Sequence, residues 1–113
     1  MADFQSRLAD LEKEGAAVVA ASVDNEADTR QLIENLHVTF PVAYGIDGMQ
    51  VCRATGAYWE ERRSIVQATG FLLRPDGRIV TAVYSSAQIG RFIAADVLRV
   101  IDFQKKAAAA PKT

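Results

Sequence analysis

Few residues in this chain could do chemistry. It has one cysteine, Cys52, and one histidine, His37, in 113 residues. A reactive thiolate needs an exposed, electropositive setting. Arg53 adjoins Cys52, but neighbours on a helix point about 100° apart. Met49 and Cys52 are three residues apart and share a face that reads as apolar. Cys52 therefore has two readings, a redox thiol and a buried structural one, and the second follows the burial preference of free cysteine. His37 closes a helical stretch after Leu36, where a histidine interacts favourably with the helix dipole. No nucleophile is near it in sequence, so it reads as a capping or surface residue. Glu60 and Glu61 make a poor acid–base pair, because adjacent residues on extended backbone point apart. Ser6 lies inside a helical stretch with no base beside it. A zinc site needs about four ligands, usually Cys or His, so this chain alone does not supply one. No Walker loop, GxGxxG or GxSxG is present, and no cofactor is expected.

Composition narrows the class. Half the residues are apolar, 24% are charged and the formal net charge is -1. That describes one ordinary globular domain, long enough to bury a core without disulfides. No basic run suggests a nucleic-acid or membrane-surface partner. The longest apolar run, Ala16 to Val23, is too short to span a bilayer. Asp3, Arg7 and Asp10 interrupt any signal-peptide apolar region, so the expected location is the cytoplasm.

The elements that would position these residues are legible by period and punctuation. Phe4, Leu8 and Leu11 mark one face of a first helix, with Asp3 and Arg7 as an i,i+4 pair and Gly15 as its stop. AAVVAASV, Ala16–Val23, is apolar on both faces and reads as a strand covered on both sides. Asn25, with Asp28 three residues on, resembles a capping box for a helix over Ala27 to Leu36, with Leu32, Ile33 and Leu36 facing the core. Phe40-Pro41-Val42 is extended, since the residue before proline is pushed to β. Asp47-Gly48 opens a short helix through Met49, Cys52 and Ala54 that Gly56 ends.

Tyr58 to Gln67 reads as a polar loop. Its Tyr58-Trp59 and Glu60-Glu61-Arg62-Arg63 form either a binding loop or a cover over the core. GFLLRPDGRIVTAVYSS is a β-hairpin around Arg74-Pro75-Asp76-Gly77, with Gly77 supplying a positive φ. A last helix runs from Ala95 to about Ala109, with Val97, Leu98, Ile101 and Phe103 partly buried, and the tail 107–113 should fray.

The order α-β-α-(short β)-α-β-β-α fits an α/β, thioredoxin-like pattern without its first strand. It is an incomplete three-layer sandwich, with a mixed sheet, a C-terminal antiparallel hairpin and a closing helix. At this point the stretch SVDNEADTRQLIENLHVTFPVAYGIDGMQVCRATGAY resembles the middle of a peroxiredoxin-like redoxin of the AhpC/TSA type. QATGFLLRPDGRIVTAVYSSAQIGR is similar to the terminal hairpin of that group. The resemblance rests on Ser22-Val23-Asp24, Phe40-Pro41-Val42 and Arg74-Pro75-Asp76-Gly77, in order and at matching spacing.

The resemblance implies thiol-dependent peroxide or disulfide reduction, with a thiol reductant or redoxin as partner. It also implies a strand before the first helix that ends in the reactive cysteine, as PxxxTxxC or CxxC. Neither is found before Ala2. Thr69, in Ala68-Thr69-Gly70, stands where thioredoxins place a proline and peroxiredoxins often a threonine. Gln67 stands roughly where peroxiredoxins tend to carry an arginine. Thr69 and Gln67 are thus the substrate-binding residues that the resemblance implies, and it supplies no catalytic residue with assurance.

In the thioredoxin arrangement the absent strand is central. Without it, strand 16–23 and the first hairpin strand each expose an unpaired edge. Buried unpaired groups cost roughly 1–3 kcal/mol each. Two remedies follow: the strand closes against the hairpin within one chain, or a second chain covers the gap. The expectation is a homodimer, built from one redoxin domain over residues 1–106. Three functional readings remain: a redox enzyme whose active segment lies upstream or whose thiol is Cys52, a non-catalytic interaction module that binds a partner or another redoxin, and a fragment with no independent role.

Overall fold

The structure is a computed structural model and describes residues 1–86 and 90–109. Residues 87–89 of the terminal stretch and 110–113 of the tail lie outside the described residues.

The first helical stretch is divided. Helix α1, Ala2–Ser6, and α2, Leu8–Lys13, meet at Arg7, whose φ of -112° is not helical. The expected Asp3–Arg7 pair does not form. Arg7 turns to Asp10 at 2.8 Å, and Asp3 makes a long-range contact described below. Leu11 is 1% exposed and anchors this segment. Gly15 ends it at φ +83°, a conformation costly for residues with a Cβ.

Strand 16–23 departs most from expectation. Regular pairing is confined to β1, Ala20–Ala21, against β2, Val42–Ala43, in parallel. Ala20 N–H donates to Pro41 C=O and Ser22 N–H to Ala43 C=O. The segment is not covered on both sides: residues 16–22 alternate between half-buried and exposed, and Val19 is 72% exposed. One cause is physical. Only one edge of β1 has a partner strand, so nothing holds the outer half of the run in register.

Helix α3, Glu26–Leu36, begins as the capping reading requires, with Asn25 Oδ1 accepting from Asp28 N–H at 2.8 Å. His37 closes it in the left-handed conformation, and Val38 N–H returns to Ile33 C=O. Its inner face is half-buried at Leu32, Ile33 and Leu36; the fully buried member is Thr29. Helix α4, Gly48–Thr55, has Asp47 as its N-cap and left-handed Gly56 at its end.

Residues 58–67 form a small antiparallel hairpin and not a loop: β3, Trp59–Glu60, pairs with β4, Ile65–Val66. The apolar pair Ile65-Val66 supplies a β-rich arm, and Ser64 takes the positive φ, +53°, that the tight turn needs. The larger hairpin joins β5, Thr69–Leu73, to β6, Ile79–Tyr84. Gly77, at φ +88°, donates to Arg74 C=O, Arg74 N–H donates to Arg78 C=O, and a bulge lies between Leu72 and Leu73.

Helix α5, Ala94–Ala109, closes the fold and carries residues 107–109 of the expected tail. Ala94, Val97, Leu98, Ile101 and Gln104 form its inward stripe at helical spacing. Phe103 is not partly buried but 68% exposed, because it lies about 200° around the helix from Ile101.

Among the described residues the three strand pairs form separate two-stranded sheets. The strand 16–23 does not close against the hairpin. The buried apolar core is small, comprising Leu11, Val38, Phe40, Ala57, Ala94 and Val97. The radius of gyration is 15.5 Å, against about 13 Å for a closed domain of this length.

Candidate functional site

Two features meet at the open side of β1. The first is the strand edge itself. Ala20 and Ser22 direct their N–H groups to the β2 segment, so the Ala21 N–H between them points to the other side, and Val19 and Val23 flank it outside the paired residues. None of these three has a backbone partner among the described residues. The second is a cleft of about 250 Å³, bounded by Ala21 to Asp24 on one side and by Ile46, Ile65 and Val66 on the other. Its lining combines free peptide groups with branched apolar side chains.

The walls are held by close packing around Gly48. A Cβ there would stand 2.6 Å from Trp59 Cζ3, 2.9 Å from Val23 Cγ1 and 3.1 Å from Val66 Cγ2. The bend after β1, the start of α4 and the small hairpin therefore converge on one residue that must lack a side chain. Trp59 is half-buried there, and its indole N–H reaches Glu61 Oε2 at 3.2 Å. Of the two readings for the Tyr58–Arg63 segment, Trp59 follows the covering one, whereas Tyr58 is 52% exposed. Glu60 is clasped by Arg63 Nε at 2.8 and 2.9 Å. The hydrogen bond from Arg63 holds the Glu60 carboxyl below its ordinary range. Both carboxylates thus have structural partners.

Gln67 and Thr69 lie on the junction between β4 and β5. Gln67 is buried, and its N–H donates to Tyr58 C=O at 2.8 Å. Thr69 is half-buried, and its hydroxyl donates to Gln67 C=O at 2.9 Å. Ser85 N–H reaches Ala68 C=O at 2.9 Å. These hydrogen bonds tie the junction to Tyr58 on one side and to the end of β6 on the other.

Cys52 lies elsewhere, in the middle of α4. It is half-buried, and its thiol makes no hydrogen bond or ion pair among the described residues. The apolar face expected around it is looser than the spacing suggested, since Met49 is 39% exposed. Its helix is tied to the sheet further on, where the Tyr84 hydroxyl donates to Thr55 C=O at 2.8 Å. His37 is exposed at the far end of α3. The geometry does not bring Cys52 and His37 together as a nucleophile and base, and among the described residues no three His, Cys, Asp or Glu side chains gather to hold a metal ion.

A tie at the other end of the molecule was not foreseen. Asp3 Oδ2 accepts from Ala94 N–H at 2.6 Å, across 91 residues. The first helix thereby caps the last one, and Lys105 repeats the link to the Glu14 carboxylate at 2.8 Å. The acidic first turn was visible in sequence, but its partner was set by packing. The Gln5 side chain adds a second long-range clasp, its Oε1 accepting from Thr39 N–H at 2.8 Å and its Nε2 donating to Thr39 Oγ1 at 3.0 Å.

This arrangement of helices about a C-terminal hairpin recurs in solved structures. AhpC from Enterococcus faecalis superposes with a TM-score of 0.76 and 22% identity, over 99% of this chain and 68% of its own. AhpC from Mycobacterium tuberculosis does so with a TM-score of 0.76 and 21% identity, over 96% of this chain and 61% of its own. A peroxiredoxin 6 variant from Arenicola marina gives 0.76 and 22%, over 96% of this chain and 54% of its own. The fold is the thioredoxin-like fold of the peroxiredoxins, and the chain spans between 54% and 68% of the length of these three. The AhpC/TSA family pattern matches residues 1–82, and the chain belongs to that family. No curated protein matches it. No helix among the described residues is long and apolar enough to cross a membrane.

Proposed function

We propose that these 113 residues act as a self-associating module on the peroxiredoxin scaffold, and that on their own they do not reduce peroxide by the thiol chemistry of the AhpC/TSA family. The observation that carries this reading is the open edge of β1 beside an apolar cleft, in a chain whose one thiol lies in mid-helix without a charged partner. Residues 1–106 work as one redoxin unit in the cytoplasm. The unit pairs with a second copy, because a free strand edge is satisfied by another strand. Gln67 and Thr69 form the residual ligand-facing junction, by resemblance to the family. A thiol reductant or another redoxin is the alternative partner.

Two measurements test the reading together. Peroxide consumption with a dithiol reductant should stay at the no-protein rate, and Cys52→Ser should leave it there. Turnover that Cys52→Ser abolishes would instead make Cys52 a redox thiol and overturn the non-catalytic reading. Sedimentation at micromolar concentration should give a mass about twice the 12.3 kDa chain.

A further inference from the structure

We draw no further inference here: the strongest candidate outside the β1 edge, the apolar face of the β5–β6 hairpin formed by Phe71, Leu73, Ile79 and Tyr84, carries none because nothing in the structure shows what covers it.

Discussion

The hairpin β5–β6 and the strand pair β1–β2 are built from similarly apolar sequence, yet they reach different ends. In the hairpin, Thr69 to Leu73 pairs with Ile79 to Tyr84 through five successive partners. The turn closes the loop locally, so the two strands find each other at little entropic cost. One face meets the segment that leads into α5, where a Cβ on Gly70 would stand 2.6 Å from the Phe92 ring. In the other pair, an eight-residue run with seven apolar residues yields two residues of ladder. The partner strand arrives only after α3, and no other element among the described residues pairs with the far edge. Each strand of both pairs has one partner among the described residues, so the difference lies in how that partner is delivered: by a tight turn in the hairpin, and across α3 for β1. The hairpin is ordered by local pairing, whereas β1 keeps one edge without a partner strand among the described residues.

The largest effect is expected at Gly48, where the stretch after β1 meets the small hairpin β3–β4. Gly48→Ala places a Cβ against Trp59, Val23 and Val66 at 2.6 to 3.1 Å. Overpacking of this kind costs about 1–3 kcal/mol. We expect the urea midpoint to fall accordingly, with near-ultraviolet circular dichroism of Trp59 changed. An unaltered midpoint would mean that the stretch after β1 and the small hairpin β3–β4 are not wedged together at Gly48.

A smaller effect is expected from the tie between the chain's two ends. Asp3→Ala removes the carboxylate that accepts from Ala94 N–H. Loss of such a cap costs about 1 kcal/mol. Hydrogen exchange should quicken in the first turn of α5 and in α1 and leave the β5–β6 amides unchanged. Equal quickening in the hairpin would show that α5 and the sheet unfold as one unit.

Val19→Lys sharpens the comparison most selectively. Val19 is 72% exposed, and exposed substitutions shift stability by about 0.5 kcal/mol or less. Lysine on an open edge opposes strand addition. The variant should keep its urea midpoint and sediment as a 12.3 kDa chain. Persistence of the larger species would move the contact away from β1.

The smallest effect belongs to pH. Glu60 is held below the ordinary carboxylate range by Arg63. A carboxyl group lowered in the folded state stabilises it above its unfolded pKa, about 4.3. That contribution fades as pH falls through the lower folded value. Amide exchange in the Trp59–Val66 hairpin should therefore rise modestly on acidification, and Glu60→Gln should remove the dependence. The pair is exposed, so global stability should change little.

Much of the fold was legible because its signals are local. Asn25, Asp47, Gly56 and Gly77 act within a few residues of themselves, and each caps or turns where the sequence indicates. The failures were those of distance. Arg7 chose Asp10 because Asp3 was drawn away to Ala94, 91 residues along the chain. Tyr58 to Gln67 reads as a polar loop, and the pairing of Trp59 with Val66 and of Glu60 with Ile65 makes it a hairpin. Phe103 was placed inward by its hydrophobicity, whereas the helical angle sends it out. The site was less legible than the fold. Gln67 and Thr69 were reached by resemblance, and the cleft beside β1 joins residues from positions 21 to 66 that no motif connects.

The central claim, a module whose open strand edge is covered by a second copy, is tested most directly by sedimentation of the wild-type chain beside Val19→Lys at micromolar concentration. The account predicts about twice the 12.3 kDa mass for the wild type and the single-chain mass for the variant. A wild type that sediments as one chain would contradict it.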